Sequence, residues 1–291
     1  MQEENAMNMD KPILVFQTDF TYKEAAVCAM YGVVKTVDRS LEIVTGTHDL
    51  PQYDIWSASY RLYQSVRFWP KGTIFVSVVD PGVGTSRRAC VAKTKDGYYI
   101  VTPDNGSLTH IKKYHGIAEV RKIDETINRL HGEGIDSVSV FHGRDLFGYC
   151  AARLASGIIT YEQVGPAYNP DDVITKEIKE PIIADGRAEG IIEIDDPNFG
   201  NVWTNIPTDE LRGHGFEYGD MVEAVIFHDG KEVFHQSVRF DKAFGMVEKD
   251  EHIIYNNELV KAALAVSQGN FMQKYNVEFG DDWKIVLSKK Q

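Results

Sequence analysis

The apolar run Thr73-Ile74-Phe75-Val76-Ser77-Val78-Val79 ends abruptly at Asp80-Pro81-Gly82-Val83-Gly84, and this junction constrains the chain more than any other stretch. A β-branched run with no polar alternation predicts a strand covered on both faces, as in a parallel sheet flanked by helices. Pro81, Gly82 and Gly84 stop the strand and force a tight turn. Arg87 and Arg88 follow, and Ala89-Cys90-Val91-Ala92 opens a further apolar run. A carboxylate and a guanidinium therefore sit at the lip of a buried strand, where α/β sheets hold their ligands.

The same grammar recurs before and after this junction. Pro12-Ile13-Leu14-Val15-Phe16 predicts a first buried strand ending in Gln17-Thr18-Asp19-Phe20, and Ala25 to Val34 has helical spacing. Leu41 to Thr45 is a second strand, leading through His48-Asp49-Leu50-Pro51 into a helix from Ile55 to Leu62. Tyr98 to Val101 precedes Thr102-Pro103-Asp104-Asn105-Gly106, and Val138-Ser139-Val140-Phe141 precedes His142-Gly143-Arg144-Asp145 and a small-residue helix from Leu146 to Ser156. Strands alternating with helices predict an α/β domain with a largely parallel sheet over residues 1–178. Beyond Gly165-Pro166 the texture changes to short alternating strands such as Gly190 to Asp195, Met221 to Phe227 and Lys231 to His235. Residues 179–291 thus read as a β-barrel-like domain, with one short helix expected near Asn257 to Ala265.

A formal charge of −12 argues against nucleic acid or an anionic membrane surface as partner, since both select basic patches. Cys28, Cys90 and Cys150 are odd in number, widely spaced and set among apolar residues, which suits thiols in a reducing compartment. The first residues lack the basic and apolar regions of a signal peptide, and no apolar run reaches membrane-spanning length. The expected localisation is cytoplasmic.

If the strands are parallel, Asp19, Asp80, Asp104 and His142 fall on one edge of the sheet. Strand ends that carry carboxylates, an arginine and a histidine on one edge make a candidate site. Other motifs fail: Gly82-Val83-Gly84-Thr85-Ser86-Arg87 has Arg where a dinucleotide fingerprint needs its third Gly. His142-Gly143-Arg144-Asp145 lacks the companions of a kinase catalytic loop. His48, His110 and His115 lack metal-ligand spacing, so no metal site is expected. In the second domain, Asp195-Asp196-Pro197-Asn198-Phe199-Gly200-Asn201 combines turn formers with an aromatic face at Phe199 and an amide at Asn201, a pairing suited to adenine.

Taken together and in this order, Thr18-Asp19-Phe20, Asp80 to Thr85 with Arg87, Pro103 to Gly106, Phe141 to Asp145, and Phe199-Gly200-Asn201 with Thr204-Asn205-Ile206 resemble the S-adenosylmethionine (SAM) hydroxide adenosyltransferases, relatives of the SAM-dependent fluorinases and chlorinases. The resemblance runs from about Ile13 to Asn270. It implies an α/β domain, a C-terminal β-barrel, and a homotrimer with sites between subunits. It carries the catalytic triad onto Asp80, Arg87 and His142. Asp19 falls on the ribose-binding carboxylate and Tyr53 on an aromatic that packs against the substrate. Asp196 falls on the acid for the methionine ammonium, and Asn201 on the adenine-reading amide. Asn257 lies near the position that meets the methionine carboxylate, and Gln268, within Ser267 to Asn270, near the adenine-contacting segment. Three departures stand out: Thr21 replaces a usual Gly, Glu24 stands where relatives often carry Asp, and Pro197 with Asn198 reshapes the loop before Phe199.

The implied reaction is displacement at ribose C5′ of SAM by water, giving adenosine and methionine, with SAM as substrate and no cofactor. A halogenase on the same fold is the nearest alternative, but the resemblance would then predict Tyr at Asp80 and Ser or Thr near Val83. The alternative outside enzymes is a sensor that binds SAM or adenosine without turnover.

Overall fold

A computed structural model of the chain describes residues 11–289. The chain divides into two compact units, residues 1–177 and 178–291. The first contains, in order, β1 (Leu14–Thr18), α1 (Ala26–Val37), β2 (Ile43–Thr47), α2 (Ile55–Val66), β3 (Ile74–Val78), β4 (Ala89–Thr94), β5 (Tyr99–Pro103), α3 (Thr109–Tyr114), β6 (Ile117–Lys122), α4 (Glu125–Asn128), a π-helical turn (Gly143–Gly148), α5 (Tyr149–Ala155) and β7 (Ala167–Tyr168).

Its sheet has the order β2-β1-β3-β5-β4-β6-β7. The pairs β1–β2, β1–β3 and β3–β5 are parallel, and β4 runs antiparallel to both β5 and β6. Five of the seven strands therefore point one way, with β4 and β7 opposed, as expected for an α/β domain with a largely parallel sheet. The absence of alternation in the apolar runs is explained by burial on both faces. Leu14, Phe16, Val76 and Val78 pack with Met30 and Val34 of α1 and Cys150 and Ala151 of α5. Val15 and Phe75 point the other way, onto Leu62 and Val66 of α2 and Ile111 of α3. Each such aliphatic or aromatic side chain contributes on the order of 1.5–3 kcal/mol when fully buried.

The second unit comprises β8 (Ile182–Ala184), β9 (Arg187–Asp196), β10 (Asn201–Pro207), α6 (Thr208–Gly213), β11 (Met221–His228), β12 (Lys231–Phe240), β13 (His252–Asn256), β14 (Lys261–Val266), α7 (Phe271–Tyr275) and β15 (Gly280–Lys289). The strand order β10-β14-β13-β12-β11-β15-β9 closes on itself through β9–β10, making a seven-stranded barrel with β8 appended to β9. Closure leaves no open edge along the ring. Val202, Ala224, Ile226, Phe240, Ile254, Leu264, Trp283 and Ile285 fill the interior.

Two local expectations are overturned. The segment Asn257 to Ala265 contains no helix. Asn257 Oδ1 accepts from the backbone N–H of Leu259 (2.9 Å) and Lys261 (3.0 Å), closing a turn that sets Tyr255 opposite Ala263 and Ile253 opposite Ala265. Lys261-Ala-Ala-Leu-Ala-Val266 is rich in helix formers, yet pairing with β13 and β10 buries all six residues and overrides that propensity. The helix of this region is α7, capped by Asn270, whose Oδ1 accepts from Gln273 N–H at 2.8 Å. Val138–Phe141 is likewise no strand: the sheet position beside β6 belongs to β7, and Val140 remains 75% exposed. This segment packs over the Gly82–Gly84 turn, where a Cβ on Gly84 would lie 3.1 Å from the Ser139 carbonyl oxygen.

Gly165 ends the short helix after Tyr161 with φ +150°, and a Cβ there would lie 2.2 Å from Lys122 O and 2.9 Å from Asp124 N. Both obstacles are backbone of the β6–α4 connection, which cannot swing aside as a side chain can. Gly165→Ala should lower unfolding free energy by about 2–4 kcal/mol, read as a fall in the urea midpoint without loss of secondary structure. An unchanged midpoint would contradict the close approach.

Candidate active site

Asp80 leaves the C-terminal end of β3, where the backbone turns sharply: Val83 N–H donates to Asp80 O (3.2 Å) and Thr85 N–H to Gly82 O (3.1 Å). Gly84 takes φ +76°, which the Pro-Gly-Val-Gly sequence accommodates without strain. The turn brings Arg87 back onto Asp80. Arg87 Nε donates to both carboxylate oxygens at 3.0 Å, and Nη2 donates to Oδ2. The guanidinium lies 5.1 Å over the Phe147 ring. From outside the loop, Asn105 Nδ2 donates to Val79 O at 3.0 Å and holds the strand end in place.

His142 enters from the start of the π-helical turn, not from a strand end. Its Nδ1 lies 2.8 Å from Arg87 Nη2. A guanidinium only donates, so Nδ1 must accept, and the neutral ring carries its proton on Nε2. Burial, and then the Arg87 charge, hold the imidazole below its usual pKa, in agreement with that assignment. Nε2 of His142 and Nη1 of Arg87 are buried and make no hydrogen bond within the protein. The π-helical turn is packed tightly: a Cβ on Gly143 would lie 3.0 Å from the Phe20 ring, and one on Gly148 would lie 3.1 Å from Gly143 O.

Asp19, at the end of β1, is nearly buried and accepts from Tyr53 N–H at 2.9 Å. Burial raises its carboxyl pKa against the lowering effect of that bond. Asp19, Tyr53, Asp80, Val83 and His142 line one cavity of about 170 Å³. Thus Asp19, Tyr53, Asp80, Arg87 and His142 are brought together in the first unit. Asp104 is not: its carboxylate accepts from Arg88 Nε (2.8 Å), Tyr168 OH (3.0 Å) and Ile174 N–H (2.8 Å), a buried anchor for the segment after β7.

In the barrel unit, Asp196, Phe199, Asn201, Asn257 and Gln268 line a single cavity of about 980 Å³. Asp196 and Asn201 face each other across the β9–β10 hairpin, and Asn201 Nδ2 donates to Asp196 Oδ2 at 2.9 Å. Phe199, at the hairpin tip, is 65% exposed. Asn257 spends its oxygen on the β13–β14 turn, and its buried Nδ2 makes no hydrogen bond within the protein. Sequence reading missed Trp203, Phe244 and Tyr255, which give the cavity aromatic walls; Trp203 Nε1 donates to Tyr255 OH at 3.2 Å. Trp203 follows Asn201 by one strand repeat, a period-2 signal that could have flagged it.

Among the described residues, His228 and Asp229 at the β11–β12 turn and Asp282 on the neighbouring β15 place potential metal-ligand atoms within 4.8 Å of one another, apart from the cavity-lining residues named above. No described helix is long and apolar enough to cross a membrane.

A parallel sheet presenting a buried carboxylate–guanidinium–imidazole set, joined in one chain to a barrel with an Asp–Phe–Asn hairpin, defines a two-domain α/β-plus-barrel protein. Comparison with known proteins narrows this class. Residues 14–165 match the N-terminal domain of SAM hydroxide adenosyltransferases and residues 190–284 the C-terminal domain, so the chain belongs to that family. A relative from Methanocaldococcus jannaschii named (R)-S-adenosyl-L-methionine hydrolase is 29% identical, covering 94% of this chain and 95% of its own length. One of the same name from Salinispora tropica is 30% identical, covering 94% and 97%. A fluorinase from an Actinoplanes species is 25% identical over 92% and 95%. The crystal structure of an uncharacterized conserved protein from Thermotoga maritima superposes with a TM-score of 0.84 at 34% identity, over 95% of this chain and all of that one.

The depressed pKa of His142 carries a pH signature. The unfolded imidazole takes up a proton near its usual value of about 6.5, whereas the folded one resists until lower pH. Its contribution is present in full above about pH 6.5 and is lost as pH falls through the folded value. Urea denaturation from about pH 7 to about pH 5 should show a smaller stability loss for His142→Asn than for the wild type. Equal losses would place the imidazole in contact with water.

Proposed function

We propose that the chain hydrolyses S-adenosyl-L-methionine to adenosine and L-methionine. The observation that carries this reading is the buried Asp80–Arg87–His142 set, in which the N–H of His142 Nε2, like Nη1 of Arg87, has no hydrogen-bond partner among the described residues. A water accepting from that N–H and donating to Asp80 would have a lone pair free for ribose C5′. The water oxygen bonds to C5′ as the C5′–S bond breaks, its electron pair returning to sulfur. Sulfonium becomes neutral thioether, so the leaving group needs neither a general acid nor a metal. The water proton passes to Asp80, because His142 Nδ1 is already committed to Arg87. Arg87 holds the Asp80 carboxylate in a fixed orientation, and the cavity supplies proximity and exclusion of bulk water.

The remaining residues take binding roles in this reading. Asp19 accepts from the ribose hydroxyls, beside Tyr53. Asp196 pairs with the methionine ammonium, and Asn257 Nδ2 donates to its carboxylate. Phe199, Asn201 and Gln268 serve the adenine. The relatives named as SAM hydrolases support this assignment over halogenation. So does electrostatics: a halide entering beside Asp80 would meet a carboxylate in a low-dielectric pocket, at a cost of several kcal/mol. Resident cofactors are not required by this chemistry, and a cytoplasmic location accords with free Cys28, Cys90 and Cys150.

Purified protein incubated with SAM in the presence of a chelator and without halide should release adenosine and methionine. Exclusive formation of a 5′-halo-adenosine in a parallel incubation with added halide, or no product without metal, would refute the assignment. Asp80→Ala should reduce turnover by roughly 10²–10⁴-fold, the usual contribution of a positioned base, with a much smaller effect on KM. Near wild-type turnover would remove Asp80 from the chemistry.

We further propose a homotrimer in which the Asp19/Asp80/His142 half of each site is completed by the Asp196/Asn201 half of a neighbouring subunit. Its support is the family resemblance and the division of the site residues between the two units. Asp80→Ala and Asp196→Ala variants, unfolded together and reassembled, should regain a fraction of wild-type activity set by random mixing. If each chain builds its own site, every site keeps one lesion and the mixture stays inactive.

A further inference from the structure

His48 lies outside the proposed reaction, yet it is one of the most completely engaged side chains in the first unit. It is 1% exposed, with Nδ1 2.7 Å from Thr18 Oγ1 and Nε2 2.8 Å from Tyr31 OH. Thr18 Oγ1 also accepts from Phe20 N–H (3.1 Å). On the other side of the ring, Tyr31 OH in turn meets Thr45 Oγ1 at 2.6 Å. This chain of hydrogen bonds ties the end of β1, helix α1 and strand β2 to one imidazole. Burial pushes its pKa down to about 4, so the ring is neutral at neutral pH.

The backbone around His48 is bound to the same loops. Thr21 N–H donates to His48 O at 2.7 Å, and Leu50 N–H to Thr18 O at 3.3 Å. Two non-glycine residues here adopt the left-handed conformation, Thr21 (φ +58°) and Tyr53 (φ +63°). Such residues are strained and persist only where the surroundings over-determine them. They bracket Asp19: Thr21 follows it on the β1 loop, and Tyr53, on the β2 loop, donates its N–H to Asp19 Oδ2. The Asp19 carboxylate is therefore aimed by two strained loops whose common fastening is His48.

We propose that His48 is a positioning residue, a neutral bolt joining the β1 and β2 loops so that the Asp19 carboxylate stays desolvated and directed at a ligand diol. The diol rests on the assignment of SAM as substrate; the desolvated geometry does not. The test is therefore made with and without substrate. In the ligand-free protein, the Asp19 carboxyl, followed by ¹³C NMR, should titrate above the ordinary carboxylate range in the wild type. In His48→Asn, which retains the Thr18 contact and loses Tyr31, it should return towards that range. In the assay, His48→Asn should raise KM for SAM about tenfold while kcat changes less than threefold. In an Asp19→Ala background the same substitution should add nothing to KM. Should His48→Asn fail to fold, Tyr31→Phe removes the Nε2 partner alone and should move both readouts the same way. A folded variant with an unaltered Asp19 titration overturns the proposal even if SAM is not the substrate. An altered titration in a protein that does not hydrolyse SAM upholds the positioning and refutes the assigned reaction instead.

Discussion

A single guanidinium organises the candidate site of the first unit. Arg87 bonds both oxygens of Asp80 and the Nδ1 of His142, so it fixes a carboxylate orientation and an imidazole tautomer together. A buried ion pair is a poor way to gain stability, because desolvation of both partners offsets much of their attraction. Its value lies in geometry. Lysine could supply the charge but not the planar fork that reaches two acceptors at once. The Pro81-Gly82-Val83-Gly84 turn exists to return the chain from β3 to that fork, and Asn105 braces the strand end from behind.

The barrel solves a different problem with similar economy. Asp196 and Asn201 are fixed opposite each other by the antiparallel register of β9 and β10, so a carboxylate and an amide need only a tight hairpin to meet. Gly200 takes φ +70°, and a Cβ there would lie 2.0 Å from the Asn270 amide, the cap of α7. The hairpin and the segment after β14 are thus pressed together into one wall of the cavity, which explains why residues distant in sequence, Asn201 and Gln268, share it.

Much of this was legible in the sequence because buried parallel strands and their turn residues leave strong local signals. β1, β3 and the Asp80 turn follow directly from apolar runs ending in Asp, Pro and Gly. Signals failed where tertiary pairing outweighed local preference. Lys261–Val266 carries helix formers but is claimed by two neighbouring strands, and Val138–Phe141 carries strand formers but finds no strand to pair with. His48 was invisible for another reason: its role depends on Thr18, Tyr31 and Thr45, which converge only after the sheet and α1 have formed. Thr21, by contrast, left a trace, since a residue in place of a usual Gly coincides with positive φ.

The π-helical turn between His142 and α5 has a further meaning. An α-helix advances about 100° per residue, so the direction of its first side chain and the facing of its last turns are normally locked in phase. Here one end must aim an imidazole at Arg87, while the other must set Cys150 and Ala151 against the sheet. The wider turn absorbs one residue between these demands and lets each be met separately. The site and the core that carries it can therefore drift independently in sequence, because the clutch between them is a single extra peptide unit.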